Sequence, residues 1–222
     1  MTKSKTNSKI LVVGSSSFLS KALSILFEDA IFFGRSNPHN LRNWNKSLPL
    51  NSWDGIVKTS AAIADSIAPG DHYHLILLQG VSTDDWEESI YVNQISVAEI
   101  AESFAKSLQR NHTSGSITMI GSASSTLGGK VQYSSTKAAL VGVQNSLLKN
   151  FSGHVRVNQI LPGVIEGGMT KDWDLEKVGT ISKKTYAGRF ASADEIVDAI
   201  KFVILNDYIS GSVINMTSGQ VK

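Results

Sequence analysis

The stretch Val12-Val-Gly-Ser-Ser-Ser-Phe-Leu-Ser-Lys-Ala-Leu23 leads from an apolar strand-like run, through a turn of small residues, into a helical pattern. Free N–H groups at the start of a helix, together with the positive end of the helix dipole, attract anions such as phosphates. The stretch therefore predicts a strand, a turn and a helix that can hold a phosphate group. Alternatively, the serines only cap the helix, since serine is a preferred N-cap residue and Gly14 is the only glycine in the turn.

Beyond this stretch, strand-like runs recur along the chain, and most are separated by helical patterns. This alternation is typical of an α/β domain in which helices cover both faces of a mainly parallel sheet. Long helices are predicted at Asp85–Gln109 and Gln132–Asn150, and Ser192-Ala-Asp-Glu195 is typical of a capping box that opens another helix. The seven predicted strands are Lys9–Val13, Ala30–Gly34, the weaker Leu48–Asn51, Tyr73–Gln79, Ser116–Ile120, Val155–Leu161 and Ser212–Asn215.

Composition narrows the class of protein. The 222 residues are 41% hydrophobic, enough for one substantial core, so we expect a single domain over residues 9–222 after a flexible tail over residues 1–8. The net formal charge of +2 gives no sign of a nucleic-acid partner, and the absence of cysteine excludes disulfides and thiol catalysis. The five histidines lie in separate segments, so no metal site is expected. With no apolar run of the roughly 18 residues that cross a bilayer and no signal-peptide pattern, we expect a cytoplasmic protein without a membrane partner.

Tyr133 and Lys137 are the first candidates for chemistry. They lie four residues apart in a predicted helix, so the phenol and the ammonium share one face. A phenol has a pKa of about 10 and exchanges protons near neutral pH only when a nearby cation lowers that value. The spacing therefore indicates an acid/base pair, although a chain with five tyrosines and many lysines can also contain it by chance.

Taken in chain order, several motifs resemble those of the short-chain dehydrogenase/reductase family, and the resemblance extends from Ile10 to Gly219. They are the cofactor turn Gly14-Ser-Ser-Ser-Phe-Leu-Ser20, the helix Trp86–Asn93, the strand end Ile120-Gly-Ser122, the Tyr133 and Lys137 pair, the strand end Asn158-Gln-Ile-Leu-Pro-Gly163, and a C-terminal segment from Gly188-Arg-Phe through Glu195 to Thr217-Ser-Gly219. The resemblance implies a Rossmann-like, doubly wound fold. It also implies an NAD(P)(H)-dependent oxidoreductase that interconverts a ketone or aldehyde and an alcohol by hydride transfer.

The resemblance assigns roles to individual residues. Tyr133 would be the acid in carbonyl reduction and the base in alcohol oxidation. Lys137 and the positive nicotinamide of the cofactor would lower the pKa of Tyr133, and Lys137 would also bind the nicotinamide ribose. Ser122 would donate a hydrogen bond to the substrate oxygen, and Asn93 would hold a water that links Lys137 to solvent. Alternatively, Ser122 and Asn93 are ordinary turn or capping residues. The implied cofactor contacts are Gly14, Ser16, Ser17, Phe18, Leu19, Arg35, Asn51, Gly80, Tyr133, Lys137, Pro162, Gly163, Val164 and Ile165.

The choice of cofactor depends on the end of the second predicted strand. An acidic residue there would favour NAD(H), whereas Arg35 can pair with a 2′-phosphate, so NADP(H) is favoured and NAD(H) stays possible. Arg35 could also be a surface residue without a role. Asn51 stands where the family often has an aspartate near the adenine.

Some positions depart from the family pattern. Phe18 and Ser20 replace the second and third glycines of the cofactor turn, where a bare backbone normally approaches the pyrophosphate or the strand. Only Gly80 remains of an Asn-Asn-Ala-Gly segment, Gly167 replaces a threonine, and the interval from Ser122 to Tyr133 is slightly short. These changes keep open a second hypothesis, in which the fold senses a dinucleotide or acts as a scaffold without turnover.

Two further expectations concern surfaces. The irregular stretch over residues 164–189 is predicted to be a substrate lid, although a disordered insertion would have the same composition. The two long helices carry apolar residues on more than one face, which favours a homodimer or homotetramer unless those residues pack on the sheet. The residues concerned include Leu140, Val141, Val143, Leu147 and Leu148.

Overall fold

The computed structural model describes residues 8–47 and 49–220, and this part of the chain contains one seven-stranded sheet. Its strands are β1 (Ser8–Val13), β2 (Ile31–Gly34), β3 (Trp44–Lys46), β4 (His72–Leu77), β5 (Ser114–Ile120), β6 (Val155–Pro162) and β7 (Val213–Met216). All neighbouring strands run parallel, in the order β3-β2-β1-β4-β5-β6-β7. The direction of winding reverses between β1 and β4, and such a switch point is where open α/β sheets bind ligands. The predicted doubly wound parallel sheet is therefore confirmed.

Helices cover both faces of this sheet. They are α1 (Phe18–Leu26), α2 (Trp53–Asp65), α3 (Trp86–Ile90), α4 (Ser96–Arg110), α5 (Ser124–Leu127), α6 (Val131–Ala138), α7 (Leu140–Asn150), α8 (Leu175–Ser182) and α9 (Ala193–Leu205). One buried apolar layer joins the sheet to α2, α4 and α7, and a second joins it to α1 and α9. The predicted capping box is present at α9, where the side chains of Ser192 and Glu195 each accept from the other's backbone N–H. No helix in residues 8–47 and 49–220 is both long enough and apolar enough to span a membrane.

The predicted strand at residues 48–51 is wrong. The third strand lies earlier, at Trp44–Lys46, where its backbone pairs with β2 and the indole N–H of Trp44 donates to the carbonyl of Gly34 at 3.2 Å. Leu48 lies outside the described residues, as do residues 1–7 of the predicted tail, whereas Ser8 already belongs to β1. Asn51 is in the turn before α2. A short edge strand is held by backbone bonds, so its side-chain pattern gives little indication of its position.

The stretch over residues 164–189 contains more regular structure than its composition predicts. A 3₁₀ turn covers Gly168–Thr170, and α8 follows with Asp174 as its N-cap, since the Asp174 carboxylate accepts from the N–H of Lys177 at 2.7 Å. The expectation of an irregular stretch is therefore wrong for α8. The helix is short and its capping residue lies inside a polar run, so helical periodicity alone gives a weak indication of it.

The apolar residues of α7 mostly face the protein interior. Leu140 and Leu147 belong to the core, and Val143 and Leu148 pack against it. Of the five residues that favoured self-association, only Val141 is exposed, at 42% of its surface. The alternative interpretation, in which these residues pack on the sheet, is therefore correct for the other four.

Candidate active site

Lys137 lies in α6 with its side chain in the protein interior, where only 3% of the residue's surface is exposed. Its Nζ donates to the carbonyl of Gln79, two residues past β4, at 3.0 Å and to that of Ile120, the last residue of β5, at 2.9 Å. Burial lowers the pKa of Lys137 to about 8. The ammonium is therefore held at the carboxyl ends of two neighbouring central strands, in an environment that lowers its pKa but leaves it mostly protonated at neutral pH.

Gly80 permits this close approach. A methyl group on its Cα would lie 3.0 Å from the Nζ of Lys137 and 3.6 Å from the Oδ1 of Asn93. A Cβ contact near 3.0 Å is tighter than nearly all real ones, so a larger residue would displace the lysine. The glycine that survives from the family's strand-end segment thus has a steric reason to be there.

Asn93 is fully buried and lies in a five-residue π-helical turn, Tyr91–Ile95, between α3 and α4. Its Oδ1 accepts from the N–H of Val81 at 2.7 Å, and its Nδ2 donates to the carbonyl of Val81 at 2.9 Å and to the hydroxyl of Thr136 at 3.1 Å. Single π turns inside α-helices are frequent at functional sites. The side chain of Asn93 therefore ties the loop after β4 to α6, which carries Lys137.

Tyr133 and Ser122 meet at the same edge of the sheet. Their side chains are hydrogen-bonded, and the Ser122 hydroxyl also accepts from the N–H of Ser124 at 3.1 Å. Burial raises the pKa of Tyr133 above its ordinary value of 10.0, and the bond to Ser122 opposes this only in part. Without cofactor the pKa of Tyr133 is therefore raised, and its lowering by Lys137 together with a bound nicotinamide stays a prediction. The four-residue spacing places both groups on α6, but the lysine is directed to the two strand-end carbonyls.

The turn after β1 is held in place by side chains. The hydroxyl of Ser15 donates to the carbonyl of Ser36 at 2.6 Å, and that of Ser20 donates to the carbonyl of Gly14 at 2.8 Å. Gly14 has a φ of +111°, a conformation that side chains disfavour, and a methyl group there would lie 3.1 Å from the Cβ of Leu78. Ser20, which replaces a glycine of the family pattern, therefore stabilises the turn.

The residues around this turn fit a dinucleotide. Ser17 caps α1, whose first N–H groups face the end of β1, so the turn retains the anion-binding geometry of a helix N-terminus. Arg35 is exposed directly after β2, next to that turn. Gly34 lets the two segments meet, since a methyl group on it would lie 2.9 Å from the backbone nitrogen of Ser15. A helix N-terminus that could hold a phosphate group and a neighbouring basic side chain therefore lie together at the switch point.

The strand-end segment after β6 lies at the same edge of the sheet. Pro162 ends β6, the N–H of Gly163 donates to the carbonyl of Met216 at 2.9 Å, and the carbonyl of Val164 accepts from Ala191 at 3.0 Å. Ile165 forms an isolated parallel bridge with Ala191. The remaining predicted cofactor contacts Ser16 and Leu19 belong to the turn and to α1, whereas Asn51 is an exposed residue before α2.

Some residues that shape this site carry no signal in the sequence. Thr136 precedes Lys137 in α6, but nothing in its local pattern indicates the bond to Asn93. His39 lies in the loop after β2, and its Nε2 is 3.1 Å from the carbonyl of Ser17. Such contacts join segments that are far apart in the chain, so a pattern read along one segment cannot reveal them.

Comparison with known proteins agrees with this geometry. The family model described as short chain dehydrogenase matches residues 74–177. The chain is 30% identical over 148 residues to the 3-oxoacyl-(acyl-carrier-protein) reductase FabG of Salmonella typhimurium, an alignment that covers 64% of this chain and 60% of that protein. It is 28% identical over 144 residues to the human (3R)-3-hydroxyacyl-CoA dehydrogenase, covering 63% of this chain and 55% of that one.

Solved structures share the fold. The crystal structure of a 3-oxoacyl-(acyl-carrier protein) reductase from Brucella melitensis superposes with a TM-score of 0.80 at 17% identity, covering 99% of this chain and 93% of that one. A Serratia marcescens short-chain dehydrogenase/reductase gives a TM-score of 0.81 at 20% identity, covering 98% and 99%.

A doubly wound parallel sheet with a helix N-terminus at its switch point is typical of Rossmann-like domains. Within that class, the chain is similar to the short-chain dehydrogenase/reductase family in sequence over residues 74–177 and in its fold. The alignments span about three fifths of the length of the curated relatives.

Proposed function

We propose that the protein is an NAD(P)(H)-dependent oxidoreductase that interconverts a ketone or aldehyde and an alcohol. The observation that carries this proposal is the hydrogen-bonded pair of Tyr133 and Ser122 beside a buried Lys137, at the sheet edge where the phosphate-binding turn also lies. A tyrosine, a serine and a buried lysine at one strand edge can supply a proton, a hydrogen bond and a positive charge to a carbonyl oxygen that is being reduced.

The residues divide the chemistry among themselves. Because the pKa of Tyr133 is raised, its phenol is protonated at neutral pH and can donate that proton to a carbonyl oxygen. Ser122, already bonded to Tyr133, supplies a second hydrogen bond to the same oxygen as negative charge grows on it. The nicotinamide, when bound, supplies or accepts the hydride. Lys137 adds a positive charge close to the site, and Asn93 positions the loop that surrounds it.

The protonated state of Tyr133 suits reduction at neutral pH. Oxidation of an alcohol requires the phenolate, which burial disfavours in the cofactor-free protein. A cationic nicotinamide next to the phenol would favour that phenolate, because an opposite charge within a few ångströms stabilises the ionised form.

NADP(H) is the favoured cofactor in this proposal. The support is Arg35, an exposed guanidinium directly after β2, where a dinucleotide-binding fold meets the adenosine ribose. Bidentate pairing makes arginine well suited to a 2′-phosphate. Replacing Arg35 by alanine should weaken NADPH binding at least about tenfold and leave NADH binding nearly unchanged, because only NADPH carries that phosphate. Equal losses for both cofactors would remove the argument for NADP(H).

The substrate is proposed to be a small carbonyl compound or alcohol. The names of the relatives point to 3-oxoacyl and 3-hydroxyacyl thioesters as the first members of a substrate panel. We further propose that the segment over residues 164–189, which contains α8, covers the substrate.

A homodimer or homotetramer is proposed on the family resemblance and on the exposed Val141 of α7, and light scattering after size-exclusion chromatography tests it. The cytoplasmic location stays a prediction.

Turnover of the panel by wild type and Tyr133→Phe tests the proposed chemistry. We expect the variant to lose at least about a hundredfold in kcat, the scale of a lost general acid, while NADPH still binds. Tyr208→Phe is the matched control, because Tyr208 is 98% exposed and its ring lies away from the site. Wild-type turnover that survives in Tyr133→Phe would contradict the proposal. NADPH binding without turnover of any panel member would instead favour the sensor hypothesis, which the comparisons do not favour.

A further inference from the structure

The ring of Phe18 lies against two glycines of the segment after β6. A methyl group on Gly167 would fall 2.8 Å from the Cζ of Phe18, and one on Gly168 would fall 3.2 Å from its Cβ. No side chain fits at Gly167 while the ring stays in place. Phe18 thus occupies space that a residue at position 167 would otherwise fill, and it joins the start of α1 to a segment almost 150 residues away.

The contact between Phe18 and the two glycines lies at the start of α1. Phe18 is the first residue of α1, so its backbone belongs to the helix N-terminus that would hold a phosphate. In dinucleotide-binding turns a bare glycine lets the pyrophosphate approach this backbone. Here the ring extends from the first residue of α1 to Gly167, while 44% of the residue's surface remains exposed.

On one side of this contact, the turn after β1 is held in place by hydrogen bonds. Three hydrogen bonds between side chains and backbone hold it, from Ser15 to Ser36, from Ser20 to Gly14, and between His39 and the carbonyl of Ser17. Any movement that uncovers the helix N-terminus therefore has to come from the ring or from the segment that it touches.

The segment on the other side contains a turn with its own internal hydrogen bonds. Gly167 and Gly168 have φ angles of +84° and +56°, two consecutive conformations that side chains disfavour. The hydroxyl of Thr170 lies 2.9 Å from the carbonyls of both Ile165 and Gly167, which holds the turn together internally. Its backbone ties to the domain lie on either side of the glycines, where the N–H of Glu166 donates to the carbonyl of Ala191 at 2.8 Å and the N–H of Tyr186 donates to the carbonyl of Ser218 at 2.7 Å.

We propose that Phe18 is a latch: a dinucleotide has to displace its ring from Gly167 and Gly168, so cofactor binding and the position of the 164–189 segment are coupled. The latch rests on the proposed function, because it presumes that a dinucleotide binds the turn. Only molecules with the ring displaced accept the cofactor. The apparent dissociation constant is therefore the intrinsic one divided by the fraction of molecules in which the ring is displaced. The rate of binding then reaches a ceiling at high cofactor concentration, set by ring displacement.

Stopped-flow NADPH binding with full-length protein tests the latch, comparing wild type, Phe18→Ala and Ile25→Ala. Ile25 is the control, because it is another exposed apolar residue of α1, 73% exposed, on the far end of the helix. We expect observed rates that level off with NADPH concentration for wild type and Ile25→Ala. For Phe18→Ala we expect observed rates that stay linear with NADPH concentration and are about tenfold higher than those of wild type. This factor corresponds to a wild-type protein in which the ring is displaced in about one molecule in ten.

Hydrogen exchange of the cofactor-free proteins supplies a second readout that does not depend on binding. Amides over residues 166–171 should exchange several-fold faster in Phe18→Ala than in wild type or Ile25→Ala. NADPH binding to both proteins with equal and linear rates, or unchanged exchange in this segment, would overturn the latch alone. Absence of NADPH binding to both wild type and Phe18→Ala would overturn the proposed function and the latch with it.

Discussion

Replacing Lys137 by methionine measures the energetic effect of a charge inside this protein. The lysine is 3% exposed, and burial lowers its pKa from 10.5 to about 8. Between these two values the unfolded chain binds more protons than the folded protein does, so the free energy of unfolding rises with pH. Below about pH 8 both states carry the proton and the whole cost of burying the ammonium is present.

The magnitude follows from the two pKa values. From pH 7 to pH 9.5 the wild type should gain about 2 kcal/mol of stability relative to Lys137→Met, which has no group to titrate at this position. The difference in the free energy of unfolding between wild type and Lys137→Met at pH 7 is less informative. The variant also leaves the carbonyls of Gln79 and Ile120 without their donor, at a cost of about 1–3 kcal/mol each. The pH dependence of the difference is therefore the quantity to measure.

Urea unfolding of the cofactor-free proteins, followed by tryptophan fluorescence at several pH values in this range, gives that difference. Lys149→Met is the matched control, since Lys149 is an exposed lysine of the adjoining α7. Its stability should follow that of the wild type at every pH. A difference between wild type and Lys137→Met that stays constant across the range would refute the inference that the ammonium is buried and destabilised.

Other expected outcomes concern the strand ends and the phenol. Asn93→Ala should lower the free energy of unfolding by about 2–4 kcal/mol, because both backbone polar groups of Val81 lose their partner in a buried site. Gly34→Ala should cost about 1–3 kcal/mol and weaken NADPH binding, since the added methyl group would lie 2.9 Å from the backbone nitrogen of Ser15. Subtracting the titration curve of Tyr133→Phe from that of wild type gives the phenolate absorbance of Tyr133. Without cofactor this absorbance should appear only above pH 10, because burial raises the pKa of Tyr133.

Each of these predictions has a control variant or a result that would contradict it. Gly179→Ala, in a helix with nothing within 4 Å of the added methyl group, should leave stability unchanged or raise it slightly, and a loss as large as that of Gly34→Ala would contradict the steric explanation. Urea midpoints of Asn93→Ala equal to those of wild type would show that the bonds to Val81 do not stabilise the loop. A Tyr133 phenolate already formed near pH 8 would show that Lys137 dominates over burial.

Much of the site follows from local patterns. The family resemblance placed Ser122 just after the strand that ends at Ile120, and helical spacing placed Tyr133 and Lys137 on one helix. The raised pKa of Tyr133 in the cofactor-free protein could not be predicted from the sequence. Desolvation depends on everything packed around the phenol, and spacing along one helix carries no information about that.

By itself, the sequence determined the order of the elements and the class of fold. Apolar runs alternating with helical patterns admit few arrangements other than a doubly wound parallel sheet, because each run must be buried on both faces. Only the tertiary structure decided what the side chains at the sheet edge do. Lys137 bonds to carbonyls 58 and 17 positions away, and Phe18, which follows β1, rests on Gly167, which follows β6. These contacts, and the burial that lowers the pKa of Lys137, exist only once the strands lie side by side.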